Sequence, residues 1–174
     1  MYDAYQVQIQ ECDTEIEAVL VKLSAGVEKP TEPIPQPKYR TKQPNQLNFD
    51  VRTALYHLVG ADLTQIHGLG PYLALRMISE CGTDMTKWST AKHFTSWLTL
   101  CPGSKISGGK KLLSHSCKSN NRIVAHLRLA ATTVGRSSTA FARKITVLFY
   151  NAMRYGMQYQ DPGKSNMKKR IVTV

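Results

Sequence analysis

Five prolines between positions 30 and 44 (Pro30, Pro33, Pro35, Pro37 and Pro44) divide this chain. Each fixes φ and lacks an amide donor, so the segment can be neither helix interior nor central strand and takes an extended, semi-rigid path. The division predicts an N-terminal helix over 1–25, a proline-rich linker over 26–48, a compact helical domain over 49–157 and a basic tail over 158–174. The predicted class is mainly α.

Ahead of the prolines, Tyr5, Ile9, Cys12, Ile16, Val19 and Leu23 recur at alternating steps of four and three. That is the a/d seam of a coiled coil, and it predicts one helix from about Asp3 to Ser24. The seam serves either a short coiled coil between subunits or packing on the chain's own domain. In both cases something has to cover it.

Beyond the linker the periodicity is helical. Asp50 is placed to cap a helix over Val51, Leu55 and Leu58 that ends at Gly60, and Pro71 opens another that stops at Gly82. Ser89 or Thr90 caps a third, burying Phe94, Trp97, Leu98 and Leu100. Ser119 caps a fourth through Val134, and a last helix runs from about Ser138 to Tyr155. Between Cys101 and Lys118 lies a loop rich in Gly, Ser and Lys, with a short strand or turn at Lys111–Leu113. No internal repeat is predicted.

The 174 residues carry a net charge of +11, with a sequence pI near 9.6. After Asp84 the only acidic residue is Asp161, against sixteen Lys and Arg from Lys87 to Arg170. An unopposed cationic half calls for a polyanionic partner. The four cysteines (Cys12, Cys81, Cys101, Cys117) form no Cys-x-x-Cys pair, which excludes a zinc site and a disulfide framework and suits a reducing cytoplasm. No export signal and no membrane span are expected.

Three constellations carry chemistry. Ile66-x-Gly68-Leu69-Gly70 lies between two helices in the apolar-x-Gly-apolar-Gly pattern of helix-hairpin-helix DNA binders. Glycine amides and a helix N-terminus there would meet a backbone phosphate; the plainer alternative is an ordinary interhelical turn. In Lys105-Ile106-Ser107-Gly108-Gly109-Lys110-Lys111, two glycines let an anion approach the main chain and lysines supply charge beside one hydroxyl. Ser107 is either a nucleophile toward phosphorus, which requires a base such as His115, or only a hydrogen-bond donor. In Lys118-Ser119-Asn120-Asn121-Arg122, with Arg128 two turns on, a helix start offers amides and cations to phosphate. The basic half has no cluster of carboxylates for Mg²⁺, and no Walker-type loop is present.

Taken together, Phe49-Asp50-Val51-Arg52, Asp62-Leu63-Thr64, Gly68-Leu69-Gly70, Ile78-Ser79-Glu80, Thr83-Asp84-Met85, Trp88, Lys92-His93-Phe94, Trp97-Leu98, Leu100-Cys101-Pro102, Lys105 to Lys110, Asn121-Arg122 and Leu127 to Ala131 resemble the C-terminal domain of bacterial insertion-sequence transposases of the one-ten (one-sixteen, nine-oh-two) family. The resemblance runs from about residue 3 to Gly163. It implies DNA transposition with Ser107 as nucleophile on a DNA phosphodiester. It also implies oligomers, through the N-terminal coiled coil, around a structured guide RNA. Full-length members carry an RNase H-like domain whose carboxylates hold the metal. This chain is therefore expected to be a truncated copy, inactive alone, that binds no cofactor itself and meets Mg²⁺ only through that acidic domain. Thr139 to Lys144 looks shortened relative to the family.

The expected nucleic-acid contacts are Gly68, Gly70, Lys105, Gly108, Gly109, Lys110, Lys111, Lys118, Asn121, Arg122 and Arg128. The expected location is the bacterial cytoplasm, at the nucleoid. The alternative is a non-catalytic nucleic-acid-binding module, or one that joins a full-length transposase.

Overall fold

A computed structural model describes residues 2–27, 30–31, 33–34, 36, 46–101, 105–113, 119, 121–134 and 138–156. Most of the predicted linker and the whole predicted tail, 158–174, lie outside the described residues, as do His115, Lys118 and Asn120. The architecture is mainly helical. The helices are α1 (Tyr2–Ser24), α2 (Val51–Val59), α3 (Pro71–Cys81), α4 (Ala91–Trp97), α5 (Arg122–Val134) and α6 (Ser138–Tyr155), with a hairpin of β1 (Lys105–Ser107) and β2 (Lys110–Leu113) between α4 and α5.

Local chemistry sets the ends. The Asp50 carboxylate accepts from the Thr53 amide at 3.2 Å and caps α2, and Gly60 closes the helix at φ 75°. Pro71 opens α3, and Thr90 caps α4. Ser119 does not cap α5. Its hydroxyl accepts from the Asn121 amide at 3.2 Å, and Asn121 Oδ1 in turn accepts from Ile123 N at 3.0 Å. The cap therefore falls one residue before Arg122, where an Asn is as good as a Ser. The segment Thr139–Lys144 is helical, forming the start of α6, with Phe141 and Ala142 buried.

Two turns of the chain share one short build. Gly60-Ala61-Asp62-Leu63-Thr64 and Gly82-Thr83-Asp84-Met85-Thr86 have the same build. In each a positive-φ glycine ends a helix and an aspartate caps a single-turn 3-10 helix (Leu63–Gln65, Met85–Lys87). In each the carboxylate accepts from the threonine amide two residues on, at 3.1 and 2.8 Å, and the apolar residue between them is buried. The likeness is one of turn chemistry, Gly-x-Asp-apolar-Thr, rather than of hydrophobic period, so a reading by periodicity passes over it.

The two copies differ in surroundings. Asp62 is nearly buried and pairs with Arg52 (Nη2–Oδ2 2.5 Å, side chains 4% and 17% exposed). Burial alone would raise its pKa, but hydrogen bonds from Arg52, Thr64 and Gln65, with the Arg52 charge, outweigh it and hold the carboxyl below its usual 3.8. Asp84 stands in solvent, its pKa lowered mainly by Thr86.

The core gathers Leu55, Leu63, Ile66, Leu69, Met77, Phe94, Leu98, Leu100, Leu127, Ile145 and Phe149 from all five helices after the linker. α5 packs on α6 and on α3, and α6 also packs on α4. Tyr150 Oη donates to Trp88 O (2.7 Å) and Arg154 donates to Trp88 O and Met85 O, fastening the end of α6 to the second 3-10 turn. Trp97, expected inside, is 44% exposed, because α4 turns its Phe94–Leu98 side inward and leaves Trp97 on the rim.

α1 touches the domain along a narrow stripe. Leu20 is buried against α2, and the buried Asp13 carboxylate accepts from the Asn48 amide at 3.0 Å. All six seam residues are exposed, Ile9 and Ile16 standing one turn from Asp13 or Leu20 at the edge of that stripe.

Candidate nucleic-acid interface

Ser107 is the last residue of β1 and is exposed. It pairs with Lys110 across a two-residue turn in which Gly108 and Gly109 both have positive φ (55° and 75°). Positive φ at both central positions is what the tight I′ hairpin turn requires, and Gly-Gly meets it at no steric cost. The turn thus fixes the serine at the hairpin tip. A Cβ added at either glycine would meet nothing within 4 Å, so the space around the tip is open. Lys105 begins β1, and Lys110 and Lys111 begin β2. The ladder is irregular between Lys105 and Ile106. The Gly/Ser/Lys loop read from sequence is therefore an ordered hairpin at its centre.

The turn before α3 is built from inside. Buried Ile66 and Leu69 anchor it, joined by a 2.9 Å bond from Leu69 N to Ile66 O, and Gly68 between them takes φ 86°. Gly70 caps α3 with no side-chain hydrogen bond, and Pro71 has no amide hydrogen. The first-turn amides of α3 thus point past a residue with no side chain, an arrangement suited to an anion.

Arg122 begins α5 and is exposed. His126 stands one turn on, on the same face. Its Nε2 meets the Arg76 guanidinium of α3 at 2.5 Å, and Arg76 lies 5.4 Å over the ring of Tyr72 in the first turn of α3. A chain of neighbours, Tyr72–Arg76–His126–Arg122, therefore links the helix behind Gly70 to the helix that carries Arg122. Arg76, Tyr72 and His126 were not singled out from sequence. Their spacing within α3 and α5 gave a signal of helix faces, but only packing shows that the faces meet. Arg128 is half-buried on another side of α5, and the Asn121 carbonyl is engaged in capping. Lys118 lies outside the described residues.

Cys81 is buried, and its pKa is pushed up to about 12 by burial and then by Glu80, so the thiol stays protonated and is no rival nucleophile. Among the described residues no group of His, Cys, Asp and Glu could hold a metal ion, and no helix is long and apolar enough to cross a membrane.

An exposed hydroxyl on a glycine-turned hairpin, a helix start with no side-chain cap and an exposed arginine at the start of α5 are features suited to phosphate. The class is that of proteins that handle nucleic acid. Residues 60–146, half of the chain, match the family described as Transposase IS116/IS110/IS902, and the chain belongs to that family. No curated protein and no solved structure matches it. The matched span includes Gly68, Gly70, the whole hairpin with Ser107, and α5.

Proposed function

We propose that this chain is the strand-handling domain of a DNA transposase in which Ser107 is the nucleophile. The observation that carries the reading is the exposed hydroxyl held at the tip of the Gly108–Gly109 turn. In the reaction the Ser107 Oγ forms a bond to phosphorus and gives up its proton to a base. One P–O bond to a deoxyribose breaks, and the released sugar oxygen takes a proton. One phosphodiester replaces another, so the step is close to balanced in energy and reverses when a different sugar hydroxyl attacks the phosphoserine.

Lys105, Lys110 and Lys111 supply charge at the hairpin, and the Gly68–Gly70 turn and Arg122 hold backbone phosphate. The resemblance implies Mg²⁺ on a separate acidic domain. The described residues offer no such ligand set, and no step here runs through the metal.

Assembly with further copies is supported by α1, whose seam from Tyr5 to Leu23 stays exposed beside the edge that packs on α2. Guide RNA is the further polyanion that the family resemblance implies.

The test is Ser107→Ala in a transposition assay complemented with the remaining components, beside a DNA-binding measurement. Lost strand exchange with unchanged binding supports the nucleophile. Unchanged exchange removes it and leaves the binding-module alternative.

A further inference from the structure

Trp97 is out of place for a core residue and well placed for a partner. Its indole is 44% exposed, yet it is braced from behind. The Trp88 ring lies 5.0 Å away at 50°, and the Phe94 ring lies 6.1 Å away and nearly parallel, at 17°. Phe94 is itself stacked on Phe149 and tilted against Tyr150. The exposed ring is thus the outermost member of an aromatic column rooted in α6, and a flat surface so held loses little freedom when another ring lies on it.

The surroundings select the occupant. His93 lies one turn before Trp97 on α4, is exposed, and has its Nδ1 fixed by Ser89 Oγ at 2.5 Å. Ser96 is exposed next to Trp97, and Lys92 is exposed one turn before Ser96 on the adjoining face of the same short helix. No carboxylate occurs anywhere from Met85 to Gln160. An apolar protein partner would meet a ring with an imidazole and a hydroxyl near it and an ammonium on the adjoining face, not a wider apolar patch. A planar base carried on a phosphate chain matches both parts, the ring by stacking and the border by charge.

We infer that Trp97 is a stacking platform for an unpaired nucleobase, with the adjoining phosphates tracked by Lys92 and His93. The inference rests on the nucleic-acid reading above and adds a preference: a base inside a duplex cannot reach the ring, so single strands or unpaired loops are bound here. DNA and RNA share the required chemistry.

The experiment measures fluorescence anisotropy of labelled twelve-nucleotide probes with the whole chain: single-stranded DNA, single-stranded RNA, a blunt DNA duplex, and a DNA strand whose central bases are abasic. Trp97→Leu keeps apolar cover but removes the π face, and Trp97→Phe restores a smaller one. A stacked base predicts that Trp97→Leu weakens single-strand binding about 5- to 100-fold. Duplex and abasic binding should change less than about twofold, with Trp97→Phe in between. The tighter of the DNA and RNA arms identifies the natural strand. Equal affinities of Trp97→Leu and the parent chain for the intact single strands overturn the platform alone, as does an equal loss on duplex and abasic probes. Failure of the parent chain to bind any probe overturns the platform and the nucleic-acid reading together. Thermal melting of each variant, with the Phe replacement as the folded reference, separates a lost contact from a lost fold.

Discussion

The twin turns allow a controlled perturbation of the fold: Asp62→Ala against Asp84→Ala. Both remove a carboxylate that caps a 3-10 turn through the threonine amide two residues on. Both carboxylates also accept from that threonine's hydroxyl, at 2.7 and 2.6 Å, but only Asp62 holds a nearly buried guanidinium, accepting from Arg52 Nη2 at 2.5 Å, and Gln65 Nε2 at 2.9 Å. Removing one member of a buried pair costs about 3–5 kcal/mol where the other charge keeps nothing, and Arg52 Nε keeps the Thr64 hydroxyl at 3.0 Å. Arg52 keeps 17% exposure, which favours the lower end, about 3 kcal/mol. At roughly 2–4 °C per kcal/mol for a chain of this size, Asp62→Ala should lower the melting temperature by roughly 6–12 °C.

Asp84→Ala, with its carboxylate in solvent, should be distinctly milder. The sign with pH follows from the depressed Asp62 pKa. Its contribution is fully present above the unfolded value, near 3.8, and fades as pH falls through the lower folded value. Differential scanning fluorimetry at pH 7, and urea unfolding from pH 7 down to 3, read both effects. Equal shifts for the two alanine variants, or a gap that widens in acid, would refute the reasoning.

Three further outcomes follow from the fold. Thr99 occupies the left-handed position after α4 (φ 55°), with the paired bonds Leu100 N to Thr95 O and Thr99 N to Ser96 O that end a helix in the Schellman manner. Its Oγ1 is buried with no partner among the described residues, so Thr99→Gly should raise stability by about 1 kcal/mol in urea unfolding. Arg122→Ala should weaken DNA binding evenly across sequences and reduce the slope of log K against log[salt] by about one, measured by anisotropy titration at several salt concentrations. Cys12 stands exposed in the α1 seam, so mild oxidation should yield a disulfide-linked dimer on non-reducing gels if two α1 helices pair parallel and in register. Cys12→Ser should abolish that band, and an antiparallel pairing would give none.

Much of the frame could be read from residue types. Asp50, Gly60, Pro71, Gly82 and Thr90 each mark a helix end because a cap or a fixed φ needs that side chain, or none. The Ser-Gly-Gly-Lys run drew attention to Ser107, but not to the hairpin, since a two-residue turn leaves little periodicity on either side. Trp97 was misplaced because helical period marks an apolar residue as inward, whereas α4 is short and its last turn reaches the rim. The Arg76–His126 contact joins residues 50 apart and is a fact of packing. The exposed seam of α1 was legible as a pattern. Its edge at Asp13 and Leu20 packs on the chain's own domain, and the rest of the seam stays exposed.

The clamp from Arg154 and Tyr150 to Trp88 joins parts of the chain on either side of the hairpin, as does the packing of α4 on α6. The helices therefore close on one another without relying on β1 and β2. A protease nick at the glycine tip would leave two fragments still embraced, and grafted residues there would burden the scaffold little. The hairpin is in this sense a bit held in a chuck, carried by the helices and not needed for their grip.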